Sequence, residues 1–151
     1  MPEPQPKKTQ DLNEIFMQLR YLQNLYGQQY ENLENNIATY NLANSSLQRN
    51  IEMLERSKSM EGSNIMIGGE GGAYMSAKVG KADRIITYIG GGYMIEKSVE
   101  DALTFLRENE KRGIEMLSRL QSEKKQVEKE LLDVQYKMNS LQYQQQAAAK
   151  G

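Results

Sequence analysis

Two clusters of glycine have the spacing that comes closest to a motif for chemistry, in this case phosphate binding. One cluster lies around positions 68–72 and the other at positions 90–92. Neither completes the G-x-G-x-x-G pattern of dinucleotide-binding loops, because Tyr74 and Ile95 stand at the final position. The sequence also lacks the Gly-Lys-Ser/Thr run of a P-loop. We therefore interpret these glycines as turn residues, which supply the positive φ that tight hairpins need.

Side chains for catalysis or metal binding are few. The sequence has no histidine and no cysteine, which excludes the usual zinc sites, disulfides, and Ser/His or Cys/His catalysis. The carboxylates alternate with lysine and arginine on what we expect to be solvated helix faces, where no pocket surrounds a pair to shift its pKa. The sequence therefore predicts that the protein is not an enzyme and that it needs no cofactor and no metal.

The composition favours an extended molecule. Only 38% of the 151 residues are hydrophobic, so a compact core of the usual size is not expected. The net charge is −1 and the basic residues form no concentrated patch, which argues against nucleic acid as a partner. No apolar run reaches the roughly 18 residues of a membrane span, and MPEPQPKK lacks the apolar core of a signal peptide. We expect a cytoplasmic protein without a membrane partner.

The elements that must position any binding residues flank a central segment, residues 59–97. Only this segment is rich in both glycine and β-branched residues, and its apolar pattern predicts two β-hairpins. The four predicted strands lie near Asn64–Ile67, Ala73–Val79, Arg84–Ile89 and Gly92–Glu96. Isolated hairpins are marginal in water and leave unpaired edges that invite another chain. We therefore predict an oligomerisation hub, formed by Ile65, Ile67, Tyr74, Met75, Val79, Ile85, Ile86, Tyr88, Ile89, Tyr93 and Ile95.

A long helix is predicted before the hub, at residues 11–58. Asp11 has Glu14 three residues later, as in a capping box, after a proline-containing tail at residues 1–10 that we expect to be disordered. Two rows of residues then recur every seven positions: Leu12, Leu19, Tyr26, Leu33, Tyr40, Leu47 and Leu54, and Phe16, Gln23, Tyr30, Ile37, Asn44 and Ile51. This is the a/d pattern of a coiled coil.

A second coiled-coil helix is predicted at residues 98–146, followed by a flexible tail at 147–151. Ser98 and Asp101 form a cap signature at its start. Its seam rows are Val99, Leu106, Gly113, Leu120, Val127, Val134 and Leu141, and Leu103, Glu110, Leu117, Lys124, Leu131 and Met138. Equal helices on either side of a turning segment predict antiparallel pairing. The predicted fold is therefore mainly α, a long antiparallel two-helix coiled-coil hairpin with two small β-hairpins, four strands in all, between the helices.

One layer of the predicted seam is polar. In the antiparallel arrangement Asn44 comes level with Glu110 and Gly113. We hypothesise that this layer determines the register, as single buried polar residues do in other coiled coils. The alternative is that Asn44 merely tolerates solvent near a seam that opens and closes.

Apolar residues in excess of the seam are concentrated at the two helix ends that are far in sequence from the hub. Exposed apolar patches usually mark a binding surface, and Met and Leu suit a surface that adapts to many partners. Ile15 and Leu22 could instead widen the seam or pack on a neighbouring subunit, whereas Met17 and Tyr21 are predicted on the outer face. The predicted tip residues, including members of the seam, are Ile15, Phe16, Met17, Leu19, Tyr21, Leu22, Leu25, Tyr136, Met138, Leu141 and Tyr143.

The sequence resembles the alpha class of prefoldin subunits from about Asp11 to Gln145. The resemblance depends on the order helix, two hairpins, helix, and on the run Arg84–Ile89. The most specific matches are Gly72-Ala73-Tyr74, then Gly90 to Lys97, which follows the family pattern G-x-G-Y-x-[VI]-E-K, then Ala102 and Phe105-Leu106. Four strands rather than two distinguish the alpha class from the beta class.

The resemblance implies a function and partners. Alpha subunits of prefoldin are expected to join beta-class subunits in a hexamer of two alpha and four beta chains, on a double β-barrel built from the hairpins. The tips of the coiled coils would capture unfolded polypeptide and pass it to a group II chaperonin without ATP, as a holdase co-chaperone does. The resemblance therefore implies that the predicted tip residues contact the client. A different interpretation stays open, in which the chain is a coiled-coil adaptor of a prefoldin-like complex that binds one folded partner.

Overall fold

The computed structural model of the chain describes the backbone of residues 7–150 and the side chains of residues 11–150. Its elements are α1 (Lys7–Met60), β1 (Asn64–Gly68), β2 (Tyr74–Lys78), β3 (Ile85–Gly90), β4 (Tyr93–Lys97) and α2 (Val99–Ala149). The predicted fold class is confirmed, and the bounds of each strand differ from the predicted ones by at most one residue. Residues 1–6 and 151, which belong to the two predicted tails, lie outside the described residues.

Both helices extend beyond their predicted bounds. α1 begins at Lys7, so Asp11 lies inside the helix and does not cap it. The last proline of the sequence is Pro6, and the residues that follow it contain nothing that stops a helix. α2 continues to Ala149 because its last three residues are alanines, which have the highest helix propensity.

The chain divides into two compact units. The hairpin unit is Tyr40–Glu115, with both β-hairpins and the helical segments that adjoin them. The terminal unit comprises the described residues of Met1–Thr39 and Met116–Gly151, and both of its segments are helical. The pairing of the helices can be followed within each unit separately.

The helical segments of the terminal unit run antiparallel. Gln23 Nε2 donates a hydrogen bond of 3.0 Å to Gln135 Oε1. Lys124 Nζ donates one of 2.8 Å to Glu34 Oε1. Residue numbers therefore rise along α1 where they fall along the facing part of α2. The most buried seam residues of this unit are Leu19, Leu120 and Val134.

The helical segments of the hairpin unit pair in the same sense. Arg107 donates to Glu55 across the pair, and the carboxamide of Asn44 lies against Gly113. A Cβ at position 113 would come within 3.0 Å of Asn44 Cγ and Nδ2 and would overlap Oδ1, so the glycine makes room for the asparagine. Asn44 Nδ2 has no hydrogen-bond partner in the described part of the chain. Asn44 and Gly113 thus share a layer as predicted, whereas their role in the register stays a prediction.

Burial follows the heptad pattern. Every predicted seam residue of both helices is buried or half-buried except Tyr40, which is exposed. The most buried apolar residues of the hairpin unit are Ile51, Leu54 and Ala102. Among the described residues no large side chain is completely buried, because each seam side chain in a two-helix pair packs on one neighbouring helix and has solvent at its sides.

Each β-hairpin forms a separate two-stranded antiparallel sheet. In the first, Ile67 pairs with Met75. In the second, Tyr88 pairs with Met94, and a bulge at Ile89 precedes the turn. Each strand therefore has one paired edge and one edge with no partner strand in the described chain.

The glycines and the helix cap behave as predicted. The positive φ angles are 83° at Gly71, 85° at Gly72, 109° at Gly90, 60° at Gly91 and 82° at Gly92. Such angles are unstrained only for glycine, which confirms the interpretation of these five as turn residues, whereas Gly68 is the last residue of β1. After β4, Ser98 Oγ accepts a hydrogen bond of 3.1 Å from the Asp101 backbone N–H and caps α2.

Candidate functional site

One face of the second hairpin is apolar and uncovered. The strand register puts Ile86, Tyr88 and Met94 on this face. Their side chains are 70%, 58% and 70% exposed, respectively. Arg84 and Glu96 form a salt bridge of 2.8 Å beside them. Neighbouring apolar side chains on a two-stranded sheet form a surface that another chain can cover.

The opposite face of the second hairpin is partly covered by the chain itself, although Ile95, which pairs with Thr87 there, is exposed. Thr87 is only 7% exposed, and Ile85 beside it is half-buried. Thr87 Oγ1 has no hydrogen-bond partner within the described residues. A buried hydroxyl without a partner costs about 1–3 kcal/mol, so this position tolerates the hydroxyl at the expense of stability.

The first hairpin is apolar on both faces. The register puts Ile67 opposite Met75 on one face and Met66 with Tyr74 on the other. All four side chains are exposed. A two-stranded sheet with apolar residues on both faces cannot cover itself, so this hairpin also presents a surface for association.

The predicted hub residues all lie in or beside the four strands. Those exposed are Ile67, Tyr74, Met75, Ile86, Tyr88, Ile89, Tyr93 and Ile95, and those half-buried are Ile65, Val79 and Ile85. Met66 and Met94 are equally exposed but absent from the predicted set. Their position next to predicted hub residues in two-sided strands is the sequence signal that could have identified them.

Five of the predicted tip residues are exposed in the terminal unit. They are Ile15, Met17, Tyr21, Tyr136 and Tyr143, and we name them the tip surface. Leu132 is also exposed in this unit but is not in the predicted set. Leu132 belongs to neither seam row of α2, and this sequence pattern predicts that it is exposed.

The other predicted tip residues belong to the helix pair rather than to its surface. Leu19 is buried, and the half-buried members are Phe16, Leu22, Leu25, Met138 and Leu141. These side chains lie in or beside the seam between the two helices. The predicted set therefore combines a surface with the seam that holds it.

A shallow groove of about 340 Å³ crosses the tip surface between α1 and α2. It is lined by Ile15, Leu19, Tyr136, Lys137, Ser140 and Leu141. Lys137 Nζ lies 2.6 Å from Asp133 Oδ2, and this hydrogen bond raises the pKa of Lys137. The groove is thus mainly apolar, and its one cation already has an anionic neighbour.

A charged layer lies in the seam of the terminal unit. Lys124 Nζ is 2.8 Å from Glu34 Oε1 and 4.8 Å from the centre of the Tyr30 ring. The hydrogen bond from Lys124 lowers the pKa of Glu34, and the same bond raises the pKa of Lys124. Because Lys124 occupies a seam position, this pair contributes to the specificity of the antiparallel match.

Other kinds of site are not found within residues 11–150. There, no group of three or more acidic, histidine or cysteine side chains converges in a way that could hold a metal ion. Neither helix, over its described length, is long and apolar enough to cross a membrane. The exposed apolar residues of the hub and the tip surface are therefore the leading candidates for function.

Comparison with known proteins agrees with this architecture. Residues 26–150 match the family described as Prefoldin subunit. The chain is 26% identical over 135 residues to prefoldin subunit alpha of Pyrococcus horikoshii, which covers 88% of this chain and 91% of that protein. It is 30% identical over 119 residues to prefoldin subunit alpha of Methanocorpusculum labreanum, with 74% and 81% covered.

A solved structure has a similar fold. It is the cryo-EM structure of filamentous PFD from Methanocaldococcus jannaschii, with a TM-score of 0.54 over 80% of this chain and 95% of that chain. The sequence identity is 20%, so this likeness concerns the fold alone.

Two long helices that pair antiparallel within each unit, with two β-hairpins between them in the chain, define a mainly helical class of proteins. Their exposed apolar residues lie on strands and on helix surfaces. The chain belongs to the prefoldin subunit family, a family of chaperones. The resemblance to the alpha class is confirmed.

Proposed function

We propose that the chain is a subunit of a hexameric prefoldin complex that acts as an ATP-independent holdase. In this proposal two copies join four beta-class subunits through the oligomerisation hub. Unfolded polypeptide contacts the tip surface and is then transferred to a group II chaperonin. We place the complex in the cytoplasm, a reducing compartment that suits a chain without cysteine.

The observation that carries the proposal is the tip surface. Its five large side chains are exposed, and two of them, Ile15 and Tyr136, line a shallow groove. A non-native chain presents apolar segments of no fixed sequence, so its binder needs several weak contacts rather than one shaped pocket. Several arms on one platform supply such contacts at high effective concentration, and each weak contact permits release.

Assembly through the hub is supported by the strands. Both hairpins have exposed apolar faces, and each of their strands has an edge without a partner strand in the described chain. Such edges pair readily with strands of other chains. A solved protein of similar fold is described as filamentous, so that protein assembles into higher-order structures.

The test compares two matched triple variants of the chain, each assembled with a beta-class subunit. The first replaces Met17, Tyr21 and Tyr136 by glutamine. The control replaces Leu42, Met53 and Ile114, which are exposed apolar residues of the hairpin unit, by glutamine. Light scattering follows the aggregation of two unrelated denatured proteins on dilution.

We expect the wild type and the control to suppress aggregation of both proteins. The tip variant should need at least about tenfold more complex for the same protection. Tenfold corresponds to about 1.4 kcal/mol, and losing the full burial of even one apolar side chain costs about 1.5–3 kcal/mol. Equal loss in both variants would place client contact outside the tip surface. Failure of the wild-type complex with both proteins would instead favour an adaptor that binds one folded partner.

A further inference from the structure

The surface of α1 between Tyr21 and Gln48 is polar but almost uncharged. Ten residues of this stretch are asparagine or glutamine, two are glutamate, and none is lysine or arginine. Exposed helix positions usually carry oppositely charged pairs, and asparagine is a poor helix former. Six of the ten carboxamides belong to asparagine, so helix stability does not explain their abundance in this stretch.

Some of these carboxamides line a second groove in the terminal unit. The groove has a volume of about 460 Å³ and lies between α1 and α2. Its main lining residues are Gln29, Asn32, Leu33, Asn36, Gln126 and Val127. Leu33 and Val127 are half-buried seam residues, whereas the four carboxamides are exposed. We name this the amide groove. Leu33 and Val127 form its apolar floor, and the carboxamides form its walls.

The carboxamides contributed by α1 are available for a ligand. Over the described part of the chain, the side chains of Gln29, Asn32 and Asn36 take part in no internal hydrogen bond. A carboxamide has two N–H donors and a carbonyl acceptor, the same kinds of group that a peptide bond presents. Three adjacent carboxamides on one wall therefore match the unpaired backbone of another chain.

The side of the groove contributed by α2 adds an acceptor without adding a free charge. Gln126 Nε2 donates a hydrogen bond of 3.0 Å to Glu130 Oε1, which leaves Gln126 Oε1 as an acceptor. Glu123 also lines the groove, and it accepts a hydrogen bond of 3.1 Å from Arg119 Nε. The charge of Glu123 is thus matched within α2, so the groove favours a neutral ligand.

The amide groove repeats the position of the tip groove along the helix pair. On α1, Leu33 lies fourteen residues after Leu19, and on α2, Val127 lies fourteen residues before Leu141. The two floors therefore occupy equivalent heptad positions on the same side, about 21 Å apart at roughly 1.5 Å per residue. An extended polypeptide covers this distance in about six or seven residues.

We propose that the amide groove binds the backbone of an extended, unfolded polypeptide while apolar side chains of the same polypeptide occupy the tip groove. The inference rests on the proposed holdase function and adds a second kind of contact to it. Apolar contacts alone recognise only the hydrophobic parts of a client. Every residue of an unfolded client except proline presents a backbone N–H and a C=O, so carboxamides can hold the segments between the hydrophobic parts whatever their sequence.

The test uses two double variants that differ only in where the asparagines lie. Asn32→Ala with Asn36→Ala removes two carboxamides from the amide groove. Asn24→Ala with Asn35→Ala removes two exposed carboxamides of the same helix that do not line it. Both variants gain the same helix propensity, so a difference between them reports on the groove.

The probe is a fluorescent, unstructured peptide of about twelve residues, roughly 40 Å when extended, with leucines at one end and serine and glycine in the remainder. Anisotropy measures its binding to the full chain assembled with a beta-class subunit. We expect Asn32→Ala with Asn36→Ala to bind about fivefold to tenfold more weakly than wild type, as loss of one or two hydrogen bonds predicts. The control pair should bind as wild type does.

A second peptide has the same side chains but N-methyl groups on the serine and glycine backbone. It should bind wild type more weakly than the first peptide and should show no further loss with Asn32→Ala and Asn36→Ala. Equal binding of the first peptide by the two double variants would overturn the inference and leave the holdase proposal intact. A wild-type complex that neither binds the peptide nor suppresses aggregation would contradict the holdase proposal itself.

Discussion

The hub and the tip surface both expose large apolar side chains, but on different kinds of backbone. In the hub, Ile86 and Tyr88 stand on a two-stranded sheet whose outer edges retain unpaired N–H and C=O groups. In the tip surface, Met17 and Tyr21 stand on a helix whose backbone groups are bonded within the helix. A partner of the hub can therefore gain a ladder of directional hydrogen bonds, whereas a partner of the tip gains only side-chain contacts.

This difference in backbone separates two modes of binding that composition alone would not distinguish. A sheet edge specifies strand direction and register, which suits a defined assembly. Separate apolar side chains on a helix specify neither, which suits clients of many sequences. The carboxamides beside the tip surface extend the second mode, because they offer hydrogen bonds without a fixed register.

The largest expected effect comes from placing a charge in the hub. Ile86→Asp puts a carboxylate on the exposed face of the second hairpin. If this face is buried on assembly, the change loses about 1.5–3 kcal/mol of apolar burial per copy and adds the desolvation of a charge. We expect association at least about a hundredfold weaker. Native mass spectrometry of the mixture with a beta-class subunit measures it.

Ile114→Asp is the matched control, because Ile114 is exposed on α2 outside the hub. Its complex should keep the wild-type mass. If the complex that contains Ile86→Asp keeps the wild-type mass, the hub is not the surface through which the subunits assemble.

Deleting the helix ends tests the tip side of the comparison. A chain that begins at Leu25 and ends at Leu131 lacks the whole tip surface but keeps both hairpins. We expect it to assemble normally and to lose most protection of denatured proteins in the light-scattering assay. If the shortened chain still protects denatured proteins, clients bind to the hub or to the helix surfaces that remain.

The polar layer of the hairpin unit should respond to Gly113→Ala. The new methyl group would overlap Asn44 Oδ1, and overpacking of this kind costs about 1–3 kcal/mol. Helix propensity returns about 1 kcal/mol, so the free energy of unfolding should fall by about 1 kcal/mol. Urea unfolding followed by circular dichroism measures this.

Asn44→Ala combined with Gly113→Ala removes the overlap and should recover the lost stability. Asn44→Leu tests the register hypothesis, and it should raise the melting temperature while loosening the pairing. Unique pairing in that variant would show that the register is determined elsewhere.

Within the hub, the covered face can be separated from the exposed one by Thr87→Val. The substitution removes a buried hydroxyl without a partner in the described residues and keeps a similar shape. We expect the free energy of unfolding to rise by about 1 kcal/mol. Thr104→Val is the control, because Thr104 is exposed and its Oγ1 already donates to the Glu100 carbonyl. A decrease with Thr87→Val would mean that the hydroxyl has a partner in the assembly.

The smallest expected effect concerns the charged layer of the terminal unit. Because the pKa of Glu34 is lowered by Lys124, its ionised form stabilises the fold above the ordinary glutamate pKa, about 4.3. This contribution disappears as the pH falls through the lower pKa of the folded state. Because the pKa of Lys124 is raised, its contribution is complete below the ordinary lysine pKa, about 10.4, and disappears as the pH rises through the higher folded value.

Glu34→Gln should therefore lower the melting temperature at pH 7 and have less effect as the pH falls below about 4. Glu31→Gln is the control, because Glu31 is an exposed residue of the same helix and forms no ion pair among the described residues. A pH-independent difference between Glu34→Gln and wild type would exclude the ion pair as its cause.

Much of the fold could be predicted because it depends on local pattern. The seven-residue rows predict both helices, and the positive φ of Gly90 and Gly91 follows from a hairpin turn. The Ser98 cap needs only a hydroxyl three residues before an N–H. The start of α1 is different. Asp11 is a favourable cap, but it is also tolerated near the N-terminus of a helix, and only the structure shows that the helix begins earlier, at Lys7.

The sequence by itself determined the helices, the hairpins and the concentration of apolar residues in the hub and at the helix ends, because periodicity and composition are local properties. Only the tertiary structure decided which of those residues remain exposed. Ile15 is exposed while Leu22, seven residues later at the same heptad position, is half-buried, since the packing of each helix against its partner selects the covered side. The amide groove arises in the same way, because it combines side chains from two helices that are far apart in the sequence.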